Sequence, residues 1–103
     1  MDRKYILVRT IPKKEGQVAR DLCDCIYFHD SEVMCVPVAV GRVYVYTLVG
    51  ALQNCLAMDY FKKLVRGFEV YDEVSHYEPS RCDDCIVVKI GEVYFVRRVG
   101  KNF

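Results

Sequence analysis

A stretch beginning at Cys35, CVPVAVGRVYVYTLVG, recurs at Cys85 as CIVVKIGEVYFVRRVG, with Cys, Val, Gly, Val, Tyr, Val and Gly in register. Each copy is an apolar run, then Gly-X (Gly41-Arg42 and Gly91-Glu92), then a run of Val, Tyr or Phe. That is the sequence form of a two-residue hairpin, with glycine supplying the positive φ of a tight turn. Two β-hairpins are therefore expected, at about Val33 to Leu48 and about Ile86 to Val99.

The segments around them complete an alternating pattern. Tyr5 to Thr10 (YILVRT) reads as a short β-branched and aromatic strand closed by Ile11-Pro12. From about Lys13 to Phe28, Val18, Leu22, Cys25 and Ile26 fall at helical spacing, with Arg20, Asp21 and Asp24 toward solvent. A second helix is expected from Ala51 to Arg66, burying Leu52, Cys55, Leu56, Phe61, Leu64 and Val65, with Gly67 as its C-terminal cap. Phe68 to Val74 reads as a strand and residues 76 to 84 as a connector. At 103 residues, 52% hydrophobic and 28% charged, this is one domain over 1–103: a core from 4 to 75, the connector, and a C-terminal hairpin from 85 to 103.

The order strand, helix, strand, strand, helix, strand describes an α+β fold, the ferredoxin-like split βαβ sandwich (βαββαβ), here with an appended C-terminal β-hairpin. Its helices cover one face of an antiparallel sheet. Alternation turns Ile6, Val8, Val43, Val45 and Thr47 toward them. Tyr5, Leu7, Arg9, Arg42, Tyr44 and Tyr46 are left on the opposite face, which reads as a docking surface. The competing reading is that Tyr94, Phe95 and Val96 of the second hairpin fold across it, because apolar patches of that size are uncommon on monomers.

Six cysteines, Cys23, Cys25, Cys35, Cys55, Cys82 and Cys85, accompany no secretory signal. Cys82-x-x-Cys85 has a knuckle-like spacing, and Cys23-x-Cys25 with His29 offers further zinc ligands. Positions 23 and 25 point about 160° apart on a helix, however, so one ion cannot take both. A disulfide involving Cys82 or Cys85, as in intracellular proteins of hyperthermophiles, and plain buried thiols are the other readings. No metal site and no cofactor is assigned. No apolar run approaches the roughly 20 residues of a membrane span, and a cytoplasmic location is expected, in a host cell if the protein is viral.

KYILVRTIPKKEGQVARDL at 4–22 resembles the opening of the N-terminal domain of the NusG/Spt5 transcription elongation factors, with its strand ending in Val-Arg-Thr, then Glu, then a helix with Val and Leu at this spacing. VPVAVGRVYVYTLV at 36–49 resembles that family's Val-Pro and glycine-led strand, and FKKLVRGFEVYDEV at 61–74 its second helix, Arg-Gly and closing strand. The resemblance covers residues 4 to 75. It implies a non-catalytic protein that docks on the RNA polymerase clamp through an apolar depression at Leu7, Arg42 and Tyr44. Arg42 departs from the aromatic usual there. Fewer than thirty residues follow Val74, room for a hairpin and not for the family's KOW barrel. The resemblance thus implies a minimal version, viral or paralogous, that competes with the complete factor. It also implies a small zinc-binding Spt4-like companion as a further partner.

The alternative is a single-stranded RNA reader, stacking bases on the aromatic and arginine face with Arg97, Arg98 and Lys101 as a local basic cluster. Fifteen Lys plus Arg against fourteen Asp plus Glu leave +1 overall, so nucleic-acid binding is expected to be weak or nil. Catalysis is not expected. His29 and His76 sit in no nucleophile motif, and the acidic neighbours Asp72-Glu73 and Asp83-Asp84 would point to opposite faces of a strand. Gly41, Gly50, Gly67, Gly91 and Gly100, scattered at turns and helix ends, form no phosphate cradle. Oligomeric state is left open.

Overall fold

A computed structural model describes residues 2–80 and 83–99. The chain runs β1 (Lys4–Thr10), α1 (Glu15–Tyr27), β2 (Met34–Ala39), β3 (Arg42–Thr47), α2 (Val49–Leu56), α3 (Asp59–Lys62), β4 (Val65–Tyr71), β5 (Glu73–Ser75), β6 (Cys85–Ile90) and β7 (Val93–Arg98). It is an α+β protein with a four-stranded antiparallel sheet in the order β2-β3-β1-β4 and a separate three-stranded antiparallel sheet in the order β5-β7-β6. The expected C-terminal hairpin is thus two strands of a three-stranded sheet. Two strands alone are marginal in water, and β5 supplies the third.

Both glycine turns form, with Gly41 at φ 71° and Gly91 at φ 60°. The first turn is Val40-Gly41, so glycine takes the second position there rather than the first. Gly91 is fixed by contact as well, since a Cβ on it would lie 2.6 Å from the Val38 carbonyl oxygen. The C-terminal hairpin therefore presses its turn against β2.

Alternation sorts the strands as anticipated. Ile6, Val8, Val43 and Val45 are fully buried against Val18, Leu22 and Ile26 of α1 and Leu52 of α2. Val18, Leu22 and Ile26 recur every four residues, one stripe of a 3.6-residue period. Before α1, Lys13 sits at φ 72°. Glu15 Oε2 accepts the N–H groups of Lys13 and Gly41, both at 2.7 Å, pinning the helix start to the first hairpin turn.

Three elements depart from the sequence reading. The second helix breaks at Met58, which is extended (φ −74°, ψ 139°), and restarts as α3. On one straight helix Phe61 would point about 120° away from Cys55; the break lets both enter the core, at 2% and 1% exposure. Gly67 lies inside β4 opposite Arg9 instead of capping a helix, because pairing with β1 extends back to Val65. The expected strand Phe68 to Val74 divides at Asp72, where the chain changes sheets. The Asp72 N–H donates to the Val96 carbonyl at 2.8 Å, and its Oδ2 accepts the Arg98 N–H at 2.8 Å.

Asp30, in the α1–β2 loop, is a buried polar hub. Its carboxylate accepts from Arg3 Nη2 at 2.7 Å, Thr47 Oγ1 at 2.8 Å and the Glu32 N–H at 3.1 Å. The Arg3 hydrogen bonds hold this carboxyl well below the usual carboxylate range, against the opposing effect of burial. A disulfide joins Cys25 of α1 to Cys55 of α2, with Cα atoms 6.1 Å apart. Both residues stood on the helices' expected buried stripes, which was the available signal for pairing them. Cys85 is disulfide-bonded, Cys82 lies outside the described residues, and Cys23 and Cys35 are free.

Candidate functional site

The register of the large sheet sets its helix-free face out in rows. Met34, Tyr46, Tyr5 and Tyr71 form one, Val36, Tyr44, Leu7 and Glu69 the next, and Arg42, Arg9 and Gly67 a third. The six residues expected to share this face do share it. They are not equally accessible.

The small sheet closes over the middle row. Phe95 of β7 is fully buried, 5.8 Å from the Tyr44 ring and 5.3 Å from the Tyr71 ring, and it packs with Leu7. Val74, Val88, Ile90 and Val93 surround this second core, and Val38 joins it from β2. Leu7 retains 2% exposure, so a partner cannot reach it while the small sheet is in place. The cause is the one weighed at the outset: a bare Leu and Tyr face is costly in water, and the C-terminal strands supply the apolar cover.

What stays accessible is a strip along the outer part of the sheet. Tyr5, Tyr44 and Tyr46 are half-buried. The Tyr5 ring lies 6.4 Å from Tyr44 at an interplanar angle of 10°, and 5.1 Å from Tyr46. Burial, then the neighbouring Tyr5 and Tyr46, push the Tyr44 phenol up to about 12. Next to it Met34 and Val36 of the edge strand are 53% and 43% exposed. They line a groove of about 270 Å³ with Val38 and Tyr44 on one side and Val74, His76 and Val93 on the other. Sequence reasoning missed Met34, Val36 and His76 as members of the site. The alternation of β2 contained the signal for the first two, whereas His76 is brought there by the change of sheet at Asp72.

The arginines are engaged within the protein. Arg9 Nε lies 3.1 Å from Glu69 Oε1, and its guanidinium covers Gly67, where a Cβ would stand 2.5 Å from Nη2. Arg42 Nη1 donates to the Gly41 carbonyl at 3.1 Å. The Arg97 guanidinium lies 5.9 Å from the centre of the Tyr71 ring, and Arg98 Nη2 is 3.1 Å from Glu73 Oε1. Lys101 lies outside the described residues. Arg97 and Arg98 of the expected basic cluster thus each have a contact within the protein. His29 is exposed and far in sequence from His76; it lines a different cavity of about 440 Å³ with Asp2, Lys4, Gly50 and Asn54. Among the described residues, no three His, Cys, Asp or Glu side chains converge as a metal site, and no helix is long and apolar enough to cross a membrane.

Comparison with known proteins matches residues 5–69 to the family model described as "Protein of unknown function (DUF3195) N-terminal domain" and residues 71–100 to the corresponding C-terminal domain. No curated protein matches the chain. The two family regions meet at Val70, inside β4 and two residues before the chain changes sheets at Asp72. The match overturns the resemblance to NusG/Spt5: the shared Val-Arg-Thr, Val-Pro and Arg-Gly pieces are short and recur wherever a strand ends or a hairpin turns. RNA polymerase and a zinc-binding companion entered through that resemblance and lose its support. The chain belongs to the DUF3195 family and carries both its N-terminal and its C-terminal regions.

Proposed function

We propose that the protein is a non-catalytic docking module that binds another protein through the groove between its two sheets, on a ferredoxin-like scaffold. The strand order β2-β3-β1-β4, with its helices on one face, supports the ferredoxin-like reading. The observation that carries the function is the pair Met34 and Val36, large apolar side chains exposed on an edge strand and continuous with the tyrosine strip. Pro37 and the register shift after it in β2 discourage indiscriminate sheet extension along that edge. The groove suits an apolar segment of a partner, anchored beside Tyr44 with polar contacts to His76.

RNA polymerase, expected from the sequence alone and without support from the family match, is the first partner to test. A pull-down with purified polymerase compares the wild type with Met34→Asp, Val36→Asp and Tyr46→Ala, all chosen outside the buried cluster. Loss of at least about tenfold in retention by the aspartate variants supports this groove, and equal retention in all four proteins removes it. The Tyr5 ring, stacked with Tyr44 and tilted against Tyr46, favours one second reading, base stacking on single-stranded RNA. Salt-dependent RNA binding that falls with Tyr46→Ala and not with Val36→Asp would select it.

A further inference from the structure

The near-neutral balance of +1 is unevenly spread over the fold. Arg3, Arg9, Arg20 and Arg98 each stand within 3.3 Å of a carboxylate oxygen. Lys13, Lys14, Lys62, Lys63 and Arg66 are exposed, and among the described residues none of these five has an ion-pair partner. The backbone gathers them at one edge of the large sheet. The Ile11 N–H donates to the Leu64 carbonyl at 3.0 Å, which lays the Pro12-Lys13-Lys14 turn beside the end of α3. Thr10 then pairs with Val65, the neighbour of Arg66 on β4. Nearby carboxylates are engaged elsewhere: Glu15 accepts two backbone N–H groups and Glu69 faces Arg9. Asp59, at the start of α3, is the acidic side chain left on that segment.

Lys62 and Arg66 also line a recess of about 230 Å³ whose other walls are Leu56, Phe61, Val65 and Phe68. Phe61 is buried and Phe68 half-buried. Cations that track phosphates, beside an apolar and aromatic surface that takes a base, are the two elements that hold single strands. A duplex keeps its bases stacked within, and a flat bilayer surface does not enter a recess; either would use the cations and leave the cavity empty. We propose that the β4 edge binds a single-stranded nucleic acid, with one unstacked base in the recess and the flanking phosphates on Lys62, Lys63, Arg66 and the Lys13-Lys14 turn.

The strand order β2-β3-β1-β4 puts this site on the edge opposite Met34 and Val36. It rests neither on the docking reading nor on the tyrosine strip, and a protein partner and a nucleic acid can be held together. Each phosphate neutralised on a single strand contributes about −0.7 to the slope of log affinity against log salt. Roughly three to five contacts from these cations give a slope of about −2 to −3.5. Removing one contact weakens binding about fivefold at about 0.1 M salt.

The test titrates the full chain into a labelled single-stranded RNA of about twelve nucleotides, read by fluorescence anisotropy over a series of salt concentrations. Lys62→Gln and Arg66→Gln, both at exposed positions, should each weaken binding about fivefold and bring the slope about 0.7 closer to zero. Lys89→Gln, an exposed cation of the small sheet, and Tyr46→Ala should change neither. An abasic strand of the same length should bind at least about fivefold more weakly, since stacking one base is worth about 1 kcal/mol or more. No binding at about 50 mM salt overturns the site, as does a loss that Lys89→Gln reproduces or that follows Tyr46→Ala alone. Equal affinity for the abasic strand or for duplex RNA overturns the base in the recess, and equal competition by polyglutamate overturns the nucleic acid in favour of an acidic peptide. The docking reading is decided separately, by the Met34 and Val36 variants.

Discussion

Phe95→Ala tests whether the small sheet is truly latched across the large one. Phe95 is the bulkiest fully buried side chain among the described residues, and its ring meets both Tyr44 and Tyr71. Truncating a buried Phe costs about 3–5 kcal/mol from lost transfer energy and residual cavity, within which each aromatic contact counts for roughly 0.5–1.5 kcal/mol. The second core has only Leu7, Tyr71 and Phe95 as fully enclosed members, so it has little else to redistribute over the gap. Set against a typical total of about 5–15 kcal/mol for a domain, the loss should fall unevenly. Amides of β5, β6 and β7 should lose most of their exchange protection, while β1 and β3, held by the larger helix-side core, keep theirs. The assay is urea unfolding followed by far-UV circular dichroism and tyrosine fluorescence, since the chain has eight Tyr and no Trp, alongside native-state hydrogen exchange. A stability loss under about 1 kcal/mol would refute closure through Phe95, and equal loss of protection in both sheets would refute the uneven distribution.

Asp30→Asn should destabilise by about 2–4 kcal/mol at neutral pH, because it removes the charge that Arg3 and Thr47 address in a buried site. Since the folded carboxyl is depressed below its unfolded value, its contribution is complete above about pH 4 and is lost as pH falls through the folded value. Wild-type and Asp30→Asn stabilities should therefore converge in acid, and parallel curves from pH 7 downward would refute the assignment. Lys13→Gly should stabilise by up to about 1 kcal/mol, measured as a rise in melting temperature, because Lys13 occupies the left-handed region at φ 72°.

The hairpins and the sidedness of β1 and β3 were readable because each rests on local rules: glycine at a tight turn, and a two-residue alternation. Phe95 over Leu7 was one of two open readings that the sequence could not decide between, since it depends on where β5 takes the chain after Asp72, and a three-residue strand has no pattern long enough to detect. The α2–α3 break was overlooked rather than hidden, because on one continuous helix Leu52 and Phe61 point about 180° apart, a mismatch that the break resolves. The divergence of Cys23 and Cys25 followed from helix geometry alone, while the partner of Cys25 lies on α2 and emerges only from packing. The family resemblance failed because it was assembled from two- and three-residue pieces whose spacing reflects turns and strand ends more than ancestry.

The jump between sheets at Asp72 has a consequence for the nascent chain. Everything needed for the four-stranded layer and its helices has been synthesised by Tyr71, but the residue that caps its aromatic side, Phe95, comes 24 positions later. At about 5–20 residues per second, Leu7 and its tyrosine neighbours stand uncovered at the ribosome for on the order of a second or more. Greasy and presentable to chaperones in that interval, the newborn protein hides the same surface for the rest of its life.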